Sequence, residues 1–321
     1  MEFNKQQIIQ YLNKIEFPYV EDSLPEPNLE TLTLLMKHHL SHLPYGNLSF
    51  FYYNNQVEGQ HESTYVNNKT ITKGVSIHPQ DVYNKMIVNG KDGYCFEHAV
   101  LFHKVLNYFG YLNFIVACRS VDVNVLKKEN KVVMSGMRHS ANLVQIDGVK
   151  YLADIGWDGF GQFLPVPINE EETEDEKCEI VKLEYNQKLQ VVFRYPPKYG
   201  NSNLFKKVYM AQYYHNDVIT PLYFFALEPY FHEDINRLNV FTVLDNSKPF
   251  INHIQLRIQK GNKLYKIFDN QLKIVNMNND KVERIHLKNE QGRRENIKKY
   301  FDIDLDDCNE YLHHDFVTFN K

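Results

Sequence analysis

The chain has 321 residues, 43% hydrophobic and 24% charged, with 36 basic against 40 acidic residues and a formal net charge of −4. Such a length points to more than one domain, and the balance of charge excludes the basic surface of a nucleic-acid binder or a membrane-adsorbed helix. No apolar run is long enough for a membrane span, and the start Met-Glu-Phe-Asn-Lys-Gln lacks the apolar core of a signal peptide, so a cytoplasmic protein is expected.

In chain order, Ile8, Tyr11, Leu12 and Ile15 recur at helical spacing over residues 5–15. Pro25 and Pro27 break the chain, and Asn28 is placed to cap a second helix carrying Leu29, Leu32, Leu35 and Leu40, which ends before Pro44. Residues 54–72 are polar and read as a loop, and a short helix is expected from Pro79 to Val88. From Cys95 to Phe109 the apolar spacing is again helical, with Gly93 just before it and Gly110 at its C-terminal cap.

The period then changes to that of strands at Phe114, Val116 and Cys118. Asp122 to Lys131 reads as a loop. His139–Ile146 and Val149–Ile155 read as two strands joined by Asp147-Gly148, a strong hairpin signal. The acidic run from Glu170 to Lys177 reads as a solvated loop. Further strands are expected at Leu189–Phe193, Phe241–Leu244, Ile254–Ile258 and Lys263–Phe268, and a last helix at Asn289–Phe301.

The four cysteines are scattered, with no CxxC pair, which argues against a disulfide framework. Cys118 reads as core, and no role is assigned to Cys178 or Cys308. Cys95 stands at the first turn of a helix, where the helix dipole favours a thiolate and free N–H groups are suited to a developing oxyanion. A two-residue turn at Asp147-Gly148 sets Ile146 opposite Val149. His139 and Asp154 then become diagonal neighbours on one face, within reach of an imidazole–carboxylate bond. A longer turn would put them on opposite faces. Cysteine, imidazole and carboxylate so placed make a nucleophile, its base and the group that orients the base. His38 and His42 stand four apart on a helix, and Cys95 and His98 three apart. Neither pair has the further ligands of a metal site, so no metal is expected. Gly136 reads as a turn glycine.

Three segments resemble those of the arylamine N-acetyltransferase family. His39-Leu40-Ser41-His42-Leu43-Pro44-Tyr45-Gly46-Asn47-Leu48 resembles the HxxxxPFENL segment of that family. Lys91-Asp92-Gly93-Tyr94-Cys95-Phe96-Glu97 resembles RGGYCFE. Arg138-His139 through Tyr151-Leu152-Ala153-Asp154-Ile155-Gly156-Trp157 resembles TH…YLVDVGFG. The resemblance implies an α+β fold with a thiol-protease-like Cys-His-Asp core. A helical bundle at 1–110 would carry the nucleophile, a β-barrel at 111–225 the His and Asp, and 226–321 would form an α/β lid. It also implies a ping-pong acyltransferase: Cys95 would take an acetyl or other short acyl group from acyl-CoA, the co-substrate, and pass it to an arylamine or hydrazine. His139 would move the proton, Asp154 would orient His139, and Trp157 would touch the acceptor; no permanently bound cofactor is implied. Departures stand at Gly46, Lys91, Asp92 and Asp158. Two rival readings share these residues: a CoA-independent Cys-His-Asp amidase, and a non-catalytic relative that only binds.

Overall fold

The structure, a computed structural model, describes residues 2–20, 23–52, 65–66, 69–70, 75–129, 131–157, 164–171, 174–184, 187–194, 208–215, 218–244, 249–306 and 308. Asp158, most of the loop expected at 54–72 and part of the acidic run at 170–177 lie outside the described residues.

The first third is mainly helical, as its periodicity dictates. Lys5–Lys14 is capped by Asn4, whose side chain accepts the Gln7 N–H while the Gln7 side chain accepts the Asn4 N–H. Leu29–His42 is capped by Asn28 through the Thr31 N–H. Ile8, Tyr11, Leu12, Ile15, Leu32 and Leu35 are fully buried together. Pro79–Tyr83 continues into a π-helical turn, Asn84–Val88. Cys95–Phe109 follows, closed by Gly110 in the left-handed conformation at φ 86°.

An eight-stranded sheet forms the middle of the molecule. Its order is Val166–Ile168, Val149–Ala153, Met134–Ile146, Leu112–Val121, Val218–Phe225, Val208–His215, Gln187–Arg194, Ile180–Lys182. All its pairings are antiparallel, and Val166–Ile168 comes back against Gln187–Arg194, so the sheet curls into a nearly closed barrel. The Cys95–Phe109 helix packs on Leu112–Val121 and Met134–Ile146.

A second, five-stranded sheet runs Tyr45–Gly46, Gln255–Lys260, Lys263–Phe268, Gln271–Asn276, Lys281–His286. Its edge strand comes from the N-terminal part: Tyr45 pairs with Arg257 and Gly46 with Leu256. Glu290–Phe301 packs with this sheet through Ile297 and Phe301.

Three sequence expectations are corrected. Phe241–Leu244 is not a strand but the last turn of a helix, His232–Leu244. Its run of Phe, Thr, Val and Leu has high strand propensity, yet Ile235, Asn239, Thr242 and Val243 bury one face at helical spacing, and tertiary packing overrides local preference. Within the loop expected at Asp122–Lys131, Val123–Glu129 is a helix, whose start the Asp122 side chain caps through the Val125 N–H. Inside the segment read as the 54–72 loop, Tyr65–Val66 and Lys69–Thr70 form a small ladder.

The hairpin has the expected register: Ile146 faces Val149, Leu143 faces Leu152 and Asn142 faces Ala153. Asp147 and Gly148 both have positive φ, 49° and 81°, as a type I′ turn requires. Gly148→Ala should therefore cost about 1 kcal/mol of stability, read as a lowered midpoint in urea unfolding.

Candidate active site

Cys95, His139 and Asp154 lie far apart in the sequence, and the fold brings them together, with Cys95 and His139 lining one cavity and Asp154 behind His139. Cys95 is the first residue of its helix, with Tyr94 as N-cap. His139 sits where Met134–Ile146 bulges. Its partner across the ladder is Cys118, while the next residue, Arg119, faces Met137, so Arg138 is the extra residue. Bulges re-aim side chains. Here Arg138 and His139 both line the cavity, and the Arg138 carbonyl oxygen stands 3.7 Å from the Cys95 thiol that donates to it.

Asp154 is fully buried at the end of the hairpin, one residue past the strand Val149–Ala153. A buried carboxylate needs donors, and it has three. His139 Nε2 donates to Oδ2 at 2.7 Å, the Tyr223 hydroxyl donates to the same oxygen at 2.7 Å, and the Gly156 N–H donates to Oδ1 at 2.8 Å. With Nε2 held by Asp154, Nδ1 is the ring nitrogen left for the Cys95 thiol. Burial pushes the His139 imidazolium down, but the Asp154 carboxylate and the Cys95 thiol on its two sides more than offset this and raise it to about 10.

Gly156 makes the approach possible. A Cβ there would lie 2.8 Å from the Cys95 Cα and 3.1 Å from its carbonyl oxygen, so only glycine lets the chain after Asp154 pass against Cys95. Trp157, the expected acceptor contact, lines the cavity and packs edge-on against His139 at 5.1 Å. Its backbone oxygen accepts from Arg257 of the second sheet. The remaining wall includes Tyr45, Tyr94, Phe250 and Ile251, so the cavity is largely apolar. Among the described residues, the Trp157 Nε1, Tyr94 hydroxyl and Thr242 hydroxyl are buried with no hydrogen-bond partner.

Asn47 fixes the far wall. Its amide nitrogen donates to the Phe250 and His253 carbonyls at 2.6 and 2.9 Å, and its amide oxygen accepts the Gln255 N–H at 2.7 Å. Under the helix start, Lys85 Nζ donates to both Glu97 oxygens at 2.7 and 2.8 Å and to Ser49, and Glu97 accepts the Tyr94 N–H at 3.1 Å. Asp92, which could have opposed a thiolate, points away. Its Oδ2 accepts the Leu48 N–H at 2.9 Å, and burial raises it to about 8, so it is mostly neutral at pH 7.

Sequence reasoning missed Tyr223 and Asn47. Tyr223 pairs with Ser120 two strands from His139, a register no local signal reveals. Asn47 stands within the segment that resembles HxxxxPFENL, but its partners lie some 200 positions away. The two metal-like pairs are otherwise engaged. His98 Nδ1 bonds His39 Nε2 at 2.7 Å, and His39 Nδ1 bonds the Tyr11 hydroxyl at 2.8 Å. His38 and His42 bond the carbonyls of Ile15 and His38 at 3.1 and 2.8 Å. Cys118, Cys178 and Cys308 are buried and lie in no disulfide.

The family model described as N-acetyltransferase matches residues 28–310, most of the chain. The chain belongs to this N-acetyltransferase family. Its fold is that of the arylamine N-acetyltransferases. The enzyme from Salmonella typhimurium superposes with a TM-score of 0.72 at 14% identity, covering 94% of this chain and 92% of that one. The Mycobacterium marinum enzyme, solved in complex with CoA, gives 0.70 at 18% identity over 94% and 95%. Among curated proteins, the proansamycin X synthase of Amycolatopsis mediterranei is 27% identical over 146 residues, 44% of this chain and 46% of its own. The chain spans about half the length of the curated relatives it matches. No described helix of this family member is long and apolar enough to cross a membrane.

Two outcomes are expected. His139 titrates near 10 when folded against 6.5 unfolded, so its contribution to stability is fully present below about pH 6.5 and is lost as pH rises through about 10. The melting temperature of the wild type should fall across that window, and the fall should be smaller in His139→Gln. Tyr223→Phe removes one donor from a buried carboxylate and should cost about 1–2 kcal/mol in urea unfolding.

Proposed function

We propose that this chain is an acyltransferase that carries an acetyl or other short acyl group from acyl-CoA to an arylamine or hydrazine through an acyl-cysteine. The observation that carries the reading is the buried line Cys95, His139, Asp154, held by a 2.7 Å imidazole–carboxylate bond and opening on one aromatic-lined cavity. In this reading Cys95 is the nucleophile, His139 the acid that protonates the leaving CoA and then the base that takes the amine proton, and Asp154 the group that fixes the imidazole and stabilises its charge. The helix dipole supports a thiolate at Cys95, and first-turn N–H groups without intrahelical partners stabilise the tetrahedral intermediate. The thioester carbon is attacked by sulfur and CoA leaves as the thiol. The amine then attacks the acyl-cysteine, its proton passes through His139, and the Cys95 sulfur is released.

The apolar walls and Trp157 suit a planar acceptor, and the unpartnered Tyr94 and Thr242 hydroxyls give it hydrogen-bond partners. The family match favours acyl transfer over CoA-independent hydrolysis, and the assembled site speaks against a relative that merely binds. We place the three functional segments at 1–110, 111–225 and 226–321, and the protein in the cytosol, where acyl-CoA is supplied.

Intact mass after incubation with acetyl-CoA alone should show one acetyl adduct that maps to Cys95 and is discharged by an added arylamine. Cys95→Ala should keep the fold by circular dichroism and lose turnover by at least about 10³-fold. No adduct with acetyl-, propionyl- or malonyl-CoA would overturn the reading.

A further inference from the structure

Two of the departures from the family motifs, Gly46 and Asp92, face each other across the nucleophile loop. A Cβ built on Gly46 would lie 2.5 Å from Asp92 Oδ2 and 3.1 Å from its Cγ, with Leu256 Cδ1 on its other side at 2.4 Å. Gly46 is not among the residues with positive φ, so the demand for glycine here is one of space and not of backbone conformation. The Asp92 side chain fills that space, fully buried, and accepts the Leu48 N–H at 2.9 Å.

The place is mechanically important. The Gly46 N–H donates to the Gly93 carbonyl at 2.8 Å, and the Gly93 N–H donates to the Pro44 carbonyl at 3.1 Å. Residues 44–48 therefore lie against 92–94, two residues ahead of Cys95. The same short segment pairs with Leu256 and Arg257, and its Asn47 holds the backbone at Phe250, His253 and Gln255. It is a strap between the nucleophile and the far wall of the cavity. In the segments this chain resembles, PFENL and RGGYC, the carboxylate stands at the position of Gly46 and the glycine at that of Asp92. Here the two are interchanged.

We propose that these two departures are one compensated exchange, in which Asp92 is a positioning residue: its carboxyl reaches into the space left by Gly46 and holds residues 44–48 against the nucleophile loop, fixing Cys95 relative to the Phe250–Gln255 wall. The group acts through its acceptor oxygen and its volume and touches no reacting atom. The idea deepens the acyltransferase reading by naming what aligns the nucleophile with the acceptor wall, and its test includes arms that do not depend on that reading.

The experiment is a double-mutant cycle on the full chain, with Asp92→Gly, Gly46→Glu, the two combined, and Asp92→Asn. Melting temperature and the rate of Cys95 alkylation by iodoacetamide are measured for each, together with kcat and KM for an arylamine. Asp92→Gly leaves the Leu48 N–H unpaired, and Gly46→Glu forces two carboxyls into one site, so each single change should lower the melting temperature. Each should also cut kcat/KM by roughly tenfold or more, with KM for the amine raised as the wall shifts. The combined variant should recover to within about threefold of wild type on every readout. Asp92→Asn, which keeps an acceptor oxygen, should recover most of what Asp92→Gly loses. Additive losses in the combined variant, or a combined variant that does not fold, would overturn the exchange. Asp92→Asn as impaired as Asp92→Gly would overturn the role given to the acceptor oxygen. A single variant that does not fold, rescued by the second change, supports it. Should the chain transfer no acyl group, the melting and alkylation arms decide the exchange alone.

Discussion

Asp154 is a carboxylate with no exposed surface, and burying one is costly unless it is paired and hydrogen-bonded. Its partners come from three places: an imidazole from the neighbouring strand, a phenol from Val218–Phe225, and a backbone N–H two residues on. These bonds fix the ring of His139 at the bulge, join two strand pairs of the barrel across Leu112–Val121, and turn the chain at Gly156 so that it grazes Cys95. The geometry of the site follows from satisfying this one group. Its charge also raises the His139 imidazolium to about 10, so the ring stays protonated through the neutral range.

The parts of this arrangement legible in the sequence are those built from neighbours in sequence. The Cys95 helix could be read from apolar spacing and its flanking glycines. The union of His139 and Asp154 followed from the parity of a two-residue Asp-Gly turn, because strand side chains alternate strictly. Local signals failed where distant packing decides. Phe241–Leu244 looks like a strand until Ile235 and Asn239, a turn or two earlier, show which face is buried. Tyr223 gives no sign of its role, since its distance from Asp154 depends on how four strands register. The family resemblance supplied the barrel, which periodicity alone leaves as a set of β-prone runs.

Two parts of the fold meet at the cavity. One is the barrel with the helix on its flank, which holds Cys95, His139 and Asp154. The other is the five-stranded sheet with Phe250 and Ile251 at its margin. Between them run few but well-directed polar contacts: the amide of Asn47, the guanidinium of Arg257 on the Trp157 carbonyl, and the ladder bonds of Tyr45 and Gly46. Such contacts carry modest net energy each but are strongly directional, so they set the relative placement of the halves more than their cohesion.

The pairing of Tyr45–Gly46 with Gln255–Lys260 also has a consequence in time. A ribosome makes the edge strand of the second sheet early and its partner more than 200 residues later. Contacts of such long sequence separation form late and cost the most loop-closure entropy. A nascent chain that has completed the barrel already has Cys95, His139 and Asp154, yet lacks the cavity wall formed by Phe250, Ile251 and Gln255. The cavity is therefore walled on both sides only once Gln255–Lys260 has been made, and the closing of one two-residue strand marks the moment.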